Sequence, residues 1–111
     1  MSEVLLILTN LPDEASAATL ATHLLERRLA ACVNQLAPCH SRYRWQGRIE
    51  TATEVPLLIK TTREQYADVE AAVIEMHPYD VPELIAIPVE TGLPAYLNWV
   101  LKESNSESTP E

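Results

Sequence analysis

The stretch EVPLLIKTTREQYADVEAAVIEMHPYDVPELIAIPV, Glu54 to Val89, changes its hydrophobic period twice, and those two changes decide the fold. TEVPLLIKT is an aliphatic run of strand length. Thr62 followed by Gln65 then resembles a helix-capping pair, and Tyr66, Val69, Val73 and Met76 recur at spacings of three, four and three, which lines one face of a helix. His77-Pro78 ends that helix, because proline restricts the residue before it and cannot continue the hydrogen-bond ladder. ELIAIPV returns to a strand pattern, so the stretch is a strand–helix–strand unit.

Working outward, Glu3 to Thr9 is another apolar strand. LPDEASAATLATHLLERRLA follows it with a helical period, carrying Ala17, Ala21, Leu24 and Ala31 on one side. Asp13 or Ser16 supplies the polar start, and Glu14 lies at the positive end of the helix dipole. ACVNQLAPCHSRYRW reads as one long, irregular extended segment bent at Pro38. Gln46-Gly47 marks a hairpin tip from which the strand at 53–61 returns. Pro56 has no amide to donate, so that strand requires a local bulge or an unpaired position. Gly92-Leu93-Pro94 opens a last short helix running to about Lys102.

Two strand–helix–strand halves joined through a hairpin are the pattern of an α+β, ferredoxin-like split βαβ sandwich with an appended C-terminal helix. The expectation is one domain over 1–103, and a disordered tail over 104–111, where too little apolar material exists to pack. LLIL, VPLLI and ELIAI are apolar at both parities, whereas a sheet wetted on one side alternates. A covered second face, and therefore an oligomer, follows from that pattern.

The 111 residues carry a formal charge of −8, which favours solubility and speaks against nucleic acid or an acidic membrane surface as partner. The apolar run Val4 to Leu8 is too short to cross a bilayer, and no basic leader or cleavage pattern accompanies it. Cys32 and Cys39 make no disulfide framework, so a reducing, cytoplasmic setting is the expectation. Two glycines leave no phosphate-binding loop, and neither HExxH nor GxSxG occurs. An acyl phosphate hydrolase needs an activating arginine beside the first strand–helix junction, and TNLPDEAS lacks it. A non-enzymatic protein is therefore expected.

Several side chains still carry chemistry. His77 serves as a cap for terminal carbonyls, as a surface residue, or as a proton-transfer or metal group. Tyr79, Asp80 and Glu83 follow it in one connector stiffened by Pro78 and Pro82, the makings of a pocket rim. Cys32 reads as a buried small hydrophobe or as a soft metal ligand. Cys39 and His40 are adjacent on a strand and point to opposite faces, which makes them poor partners for one ion. Tyr43 and Trp45 share a face of the hairpin and suit a subunit interface. Lys60 attracts an anionic ligand or pairs with Glu83.

LTNLPDEASA, ERRLAACVNQL, YRWQGRIE, EVPLLIKTT, HPYDVPELIAIPV and YLNWV, taken in this order and spacing, resemble the divalent-cation-tolerance (CutA) family from about Glu3 to Leu101. The resemblance implies a cytoplasmic, ferredoxin-like homotrimer that contributes to the response to metal ions and catalyses no established reaction. It implies Cys32, His77 and Glu83 as metal-binding positions for copper or another divalent cation, with no obligatory cofactor. Trp45, Lys60 and Tyr79 are the implied ligand-cleft residues, suited to a small anionic ligand. Thr9 and Met76 stand where some copper-associated members have an extra cysteine and a second histidine. A small-molecule signalling module and a structural platform for a protein partner are the alternatives.

Overall fold

The computed structural model describes residues 3–105. In chain order the elements are β1 (Val4–Leu11), α1 (Glu14–Glu26), β2 (Cys32–Gln35), β3 (Cys39–Trp45), β4 (Arg48–Thr62), α2 (Tyr66–Met76), β5 (Ile85–Pro88) and α3 (Pro94–Glu103), with a 3₁₀ turn at Arg63–Gln65. The sheet runs β2-β4-β1-β5 with β3 continuing alongside β4, and every pairing is antiparallel. This mixed α/β sandwich has the order expected of a ferredoxin-like fold.

Local chemistry sets the element ends. Asp13 is extended and its carboxylate accepts from the Ser16 amide at 2.7 Å, which caps α1. That bond holds the Asp13 carboxyl below its ordinary value. The helix stops at Glu26, short of the apolar pattern that continues to Ala31. Arg28 adopts φ 57°, and the Leu29 amide turns back to the Leu24 carbonyl at 2.9 Å. Leu29 and Ala30 are buried as lead-in to β2, so their apolar character belongs to the core after the helix has ended. Thr62 makes no side-chain capping bond, contrary to the capping-pair reading, and the 3₁₀ turn intervenes before α2. The predicted stripe is otherwise in place, with Val69 and Val73 buried and Tyr66 and Met76 packed at its margins.

The single extended segment of the sequence reading is two strands. Gln35 pairs with Leu57 and Cys39 with Glu54, so Leu36, Ala37 and Pro38 lie opposite only Val55 and Pro56. One extra residue on that side is a bulge, and it faces the proline that cannot donate. The Leu36 amide donates to the Pro56 carbonyl at 3.0 Å, while β1 runs past β4 in unbroken register from Val4↔Thr62 to Leu11↔Val55. β3 and β4 then extend beyond the end of β1 as a hairpin. Its tip has Gln46 and Gly47 at φ 50° and 77°, the two left-handed residues a tight hairpin turn requires.

Helices α1 and α2 cover one face, where Leu5, Ile7, Leu11, Leu57 and Ile59 meet Leu20, Leu24, Val69 and Val73. The opposite face carries Leu6, Leu8 and Leu58, only half-buried, together with Ile85 and Ile87, which are 50% and 45% exposed. Helix α3 packs on β4 and β1 there and leaves the β5 side open. Arg28 ties the helix down, donating to the Lys102 and Asn105 carbonyls at 3.3 and 3.2 Å. Ser104 is buried and its carbonyl accepts from Gln65 at 3.1 Å. The packed chain thus runs to Asn105, and the rest of the tail expected to be disordered lies outside the described residues.

Candidate functional site

The connector between α2 and β5 is latched onto the end of β1. His77 is 6% exposed, and both ring nitrogens are occupied within the chain. Nδ1 accepts from the Tyr79 amide at 3.2 Å, which assigns the proton to Nε2, and Nε2 donates to the Asn10 carbonyl at 2.6 Å. The Tyr79 ring lies against the imidazole with centroids 4.7 Å apart. Thr9 donates its hydroxyl to the Glu83 carbonyl at 2.7 Å, and Asn10 donates its side-chain amide to Oε1 of Glu83 at 3.3 Å. The cap reading of His77 is replaced by a longer reach: it satisfies a carbonyl on β1, not one at the end of α2.

Cys32 and Lys60 lie elsewhere. Their register partners place Cys32, Lys60, Leu6 and Ile87 in one row across the second sheet face. The Lys60 ammonium donates to the Asn34 side-chain oxygen and lies 3.8 Å from the Cys32 sulfur. Tyr96 of α3 reaches the same spot, and burial followed by the neighbouring Cys32 pushes its phenol up. Lys60 does not pair with Glu83. Glu83 is fixed to Asn10, four residues along β1 from Leu6, a separation of roughly 13 Å. Cys39 has Ser41 as neighbour, Sγ to Oγ 3.9 Å.

A groove of about 640 Å³ opens where the hairpin outruns β1 and the connector crosses beside it. Arg42, Tyr43, Trp45 and Glu54 line it from the hairpin, and Tyr79, Asp80 and Glu83 from the connector. Glu54 is 8% exposed, the most buried carboxylate there, and its partner is the Tyr79 phenol. Burial, then the charge of Glu54 and the hydrogen bond to it, raises that phenol above its ordinary value.

The six anticipated residues therefore divide. Trp45, Tyr79 and Glu83 share the groove, His77 stands behind it as a buried brace, and Cys32 with Lys60 sits on the second sheet face. No three histidine, cysteine, aspartate or glutamate side chains among the described residues group closely enough to hold a metal ion. The metal set Cys32, His77 and Glu83 thus does not fit a metal centre within one chain. Asn10, Asn34 and Glu54 escaped the sequence reading. Glu54 alone left a signal, a charge placed directly before the apolar run Val55 to Ile59.

Residues 5–103 match the CutA1 divalent ion tolerance protein family. The divalent-cation tolerance protein CutA of Thermus thermophilus is 44% identical over 100 residues, covering 90% of this chain and 95% of that protein. Mouse protein CutA is 43% identical over 97 residues, covering 87% of this chain and 55% of its own. Among solved structures, the divalent cation tolerance protein of T. thermophilus superposes with a TM-score of 0.89 at 41% identity, covering 95% of this chain and all of that one. The protein described as the periplasmic divalent cation tolerance protein CutA from Archaeoglobus fulgidus also gives 0.89, at 39% identity over 92% of this chain and 99% of that one.

Proposed function

The chain belongs to the CutA1 divalent ion tolerance family, and we propose that it acts in divalent-cation tolerance as a non-catalytic homotrimer in a reducing compartment. The observation that carries this reading is the open part of the second sheet face. Ile85 and Ile87 stand half-exposed beside Leu6 and Leu8, and the projecting hairpin adds Tyr43 and Trp45. An apolar surface of this kind is stable in water once another copy covers it. Copper or another divalent cation then finds its donors where subunits meet, because no three candidate ligands among the described residues of one chain come together. Cys32, as a free thiol, and the Glu83 carboxylate are the side chains able to contribute there. His77 is already committed to Asn10 and Tyr79.

Light scattering on the purified protein is expected to give the mass of three chains. Calorimetric titration with Cu(II) and Zn(II) is expected to weaken in Cys32→Ala and Glu83→Gln. A monomer at micromolar concentration, or metal affinity unchanged in both variants, overturns the corresponding half of the proposal.

A further inference from the structure

We infer that the groove between the hairpin and the HPYDVP connector receives the hairpin of a second copy, which supplies Arg44 and Ile49 to it. The inference rests on the proposed homotrimer and states which surfaces meet in it. Side chains alternate along β3 and β4, so the hairpin has two unlike faces. Tyr43, Trp45 and Glu54 lie on the groove face. Arg44 and Ile49 are register partners on the other, and both are exposed.

The two surfaces carry complementary chemistry. The groove holds three carboxylates, Glu54, Asp80 and Glu83, against the single guanidinium of Arg42. Glu54 is committed to the Tyr79 phenol, and one oxygen of Glu83 to Asn10. Asp80 is left for a partner: neither it nor Arg44 enters the ion pairs of the described residues, Arg28–Glu103 and Arg63–Glu3. Apolar exposure is matched in the same way. Val81, beside Asp80 on the groove wall, is 82% exposed and Ile49 71%, more than any other large apolar side chain among the described residues. Seating Ile49 against Val81 and Trp45 covers all three and brings the adjoining Arg44 guanidinium toward Asp80.

One chain cannot make this contact with itself, because Arg44 and Ile49 point away from the groove that their own hairpin walls. Used head to tail, each copy presents its hairpin to one neighbour and its groove to the other, which is the connection a three-fold ring requires. The seat is preformed: the His77 brace fixes Tyr79, and Asn10 holds Glu83.

The test is light scattering of the full-length protein, first in buffer and then over a dilution series at the urea concentration that half-dissociates the parent. The concentration at which the trimer dissociates is expected to rise by at least about ten-fold in Arg44→Glu and in Asp80→Arg, both exposed positions outside the core. Combining the two reverses the pair, and the combined variant is expected to return to within about three-fold of the parent. Arg27→Glu, which changes the net charge equally at the end of α1, is expected to match the parent. A trimeric parent whose single variants dissociate as it does overturns this contact and leaves the assembly standing. So does a combined variant no better than the weaker single one, or a loss in Arg27→Glu as large as that in Arg44→Glu. A monomeric parent overturns assembly and contact together.

Discussion

His77 illustrates how a residue that reads as a ligand becomes a brace. Its imidazole is buried, donates to a carbonyl of β1 and accepts from an amide two residues ahead. Truncating it leaves the Asn10 carbonyl and the Tyr79 amide without these partners in a site closed to water. His77→Ala is expected to lower stability by about 1–3 kcal/mol, measured by urea unfolding. His77→Gln, which can still donate to Asn10, is expected to recover part of that loss. Equal stability of His77→Ala and the parent protein would refute the bracing role. The sequence carried the position of His77 at the helix end, since Pro78 announces it, but not its partner. Asn10 is 67 residues earlier, and only the sheet brings its carbonyl under the ring.

At the scale of elements, two ends have measurable consequences. Asp13 caps α1 as a carboxylate whose pKa lies below the ordinary 3.8. Because the folded value is depressed, its contribution is fully present above the unfolded pKa and is lost as pH falls through the folded one. Melts recorded from about pH 6 down to about pH 3 are expected to lose less stability in Asp13→Asn than in the parent, since the amide retains an acceptor without titrating. The hairpin tip depends instead on backbone freedom. A Cβ on Gly47 meets nothing within 4 Å, so Gly47→Ala carries only the strain of a positive φ. A loss of roughly 1 kcal/mol is expected in thermal unfolding.

Element types were legible because α2 and the flanking strands keep distinct periods. The split between β2 and β3 was not, because Leu36, Ala37 and Pro38 continue an irregular extended pattern in the sequence. Only their opposition to Val55 and Pro56 identifies a bulge.

For the whole molecule, the open sheet face is the decisive feature. Ile87 is 45% exposed on the edge strand β5, so a charge there costs the isolated chain little and an assembled face a great deal. Ile87→Asp is expected to keep its circular dichroism spectrum and to elute with a lower light-scattering mass. An unchanged mass would place the subunit contact elsewhere. The sequence announced this face through strands apolar at both parities, a property of each strand by itself. The candidate site was less legible, because it joins residues from the hairpin, the connector and the end of β1, whose adjacency is a product of register. Tyr79 and Glu83 stood out beside His77 in a proline-stiffened connector, and the CutA resemblance implied Trp45. Glu54, the buried carboxylate among them, was hidden by its membership of a strand.

Pro56 has a last consequence, for how the chain tolerates insertion and deletion. Its carbonyl accepts from Leu36, and in an extended strand the nitrogen of the same residue faces the same side, so the missing donor falls at the Leu36–Pro38 bulge. Adding one residue to each arm of the hairpin beyond Cys39 and Glu54 lengthens the arms and leaves that match intact. Removing one residue from the bulge presents Pro56 with an acceptor it cannot satisfy and turns every β3 side chain to the opposite face, Tyr43 and Trp45 included. Length variation is therefore confined to the hairpin tip, and the three residues opposite the proline set the reading frame of the groove.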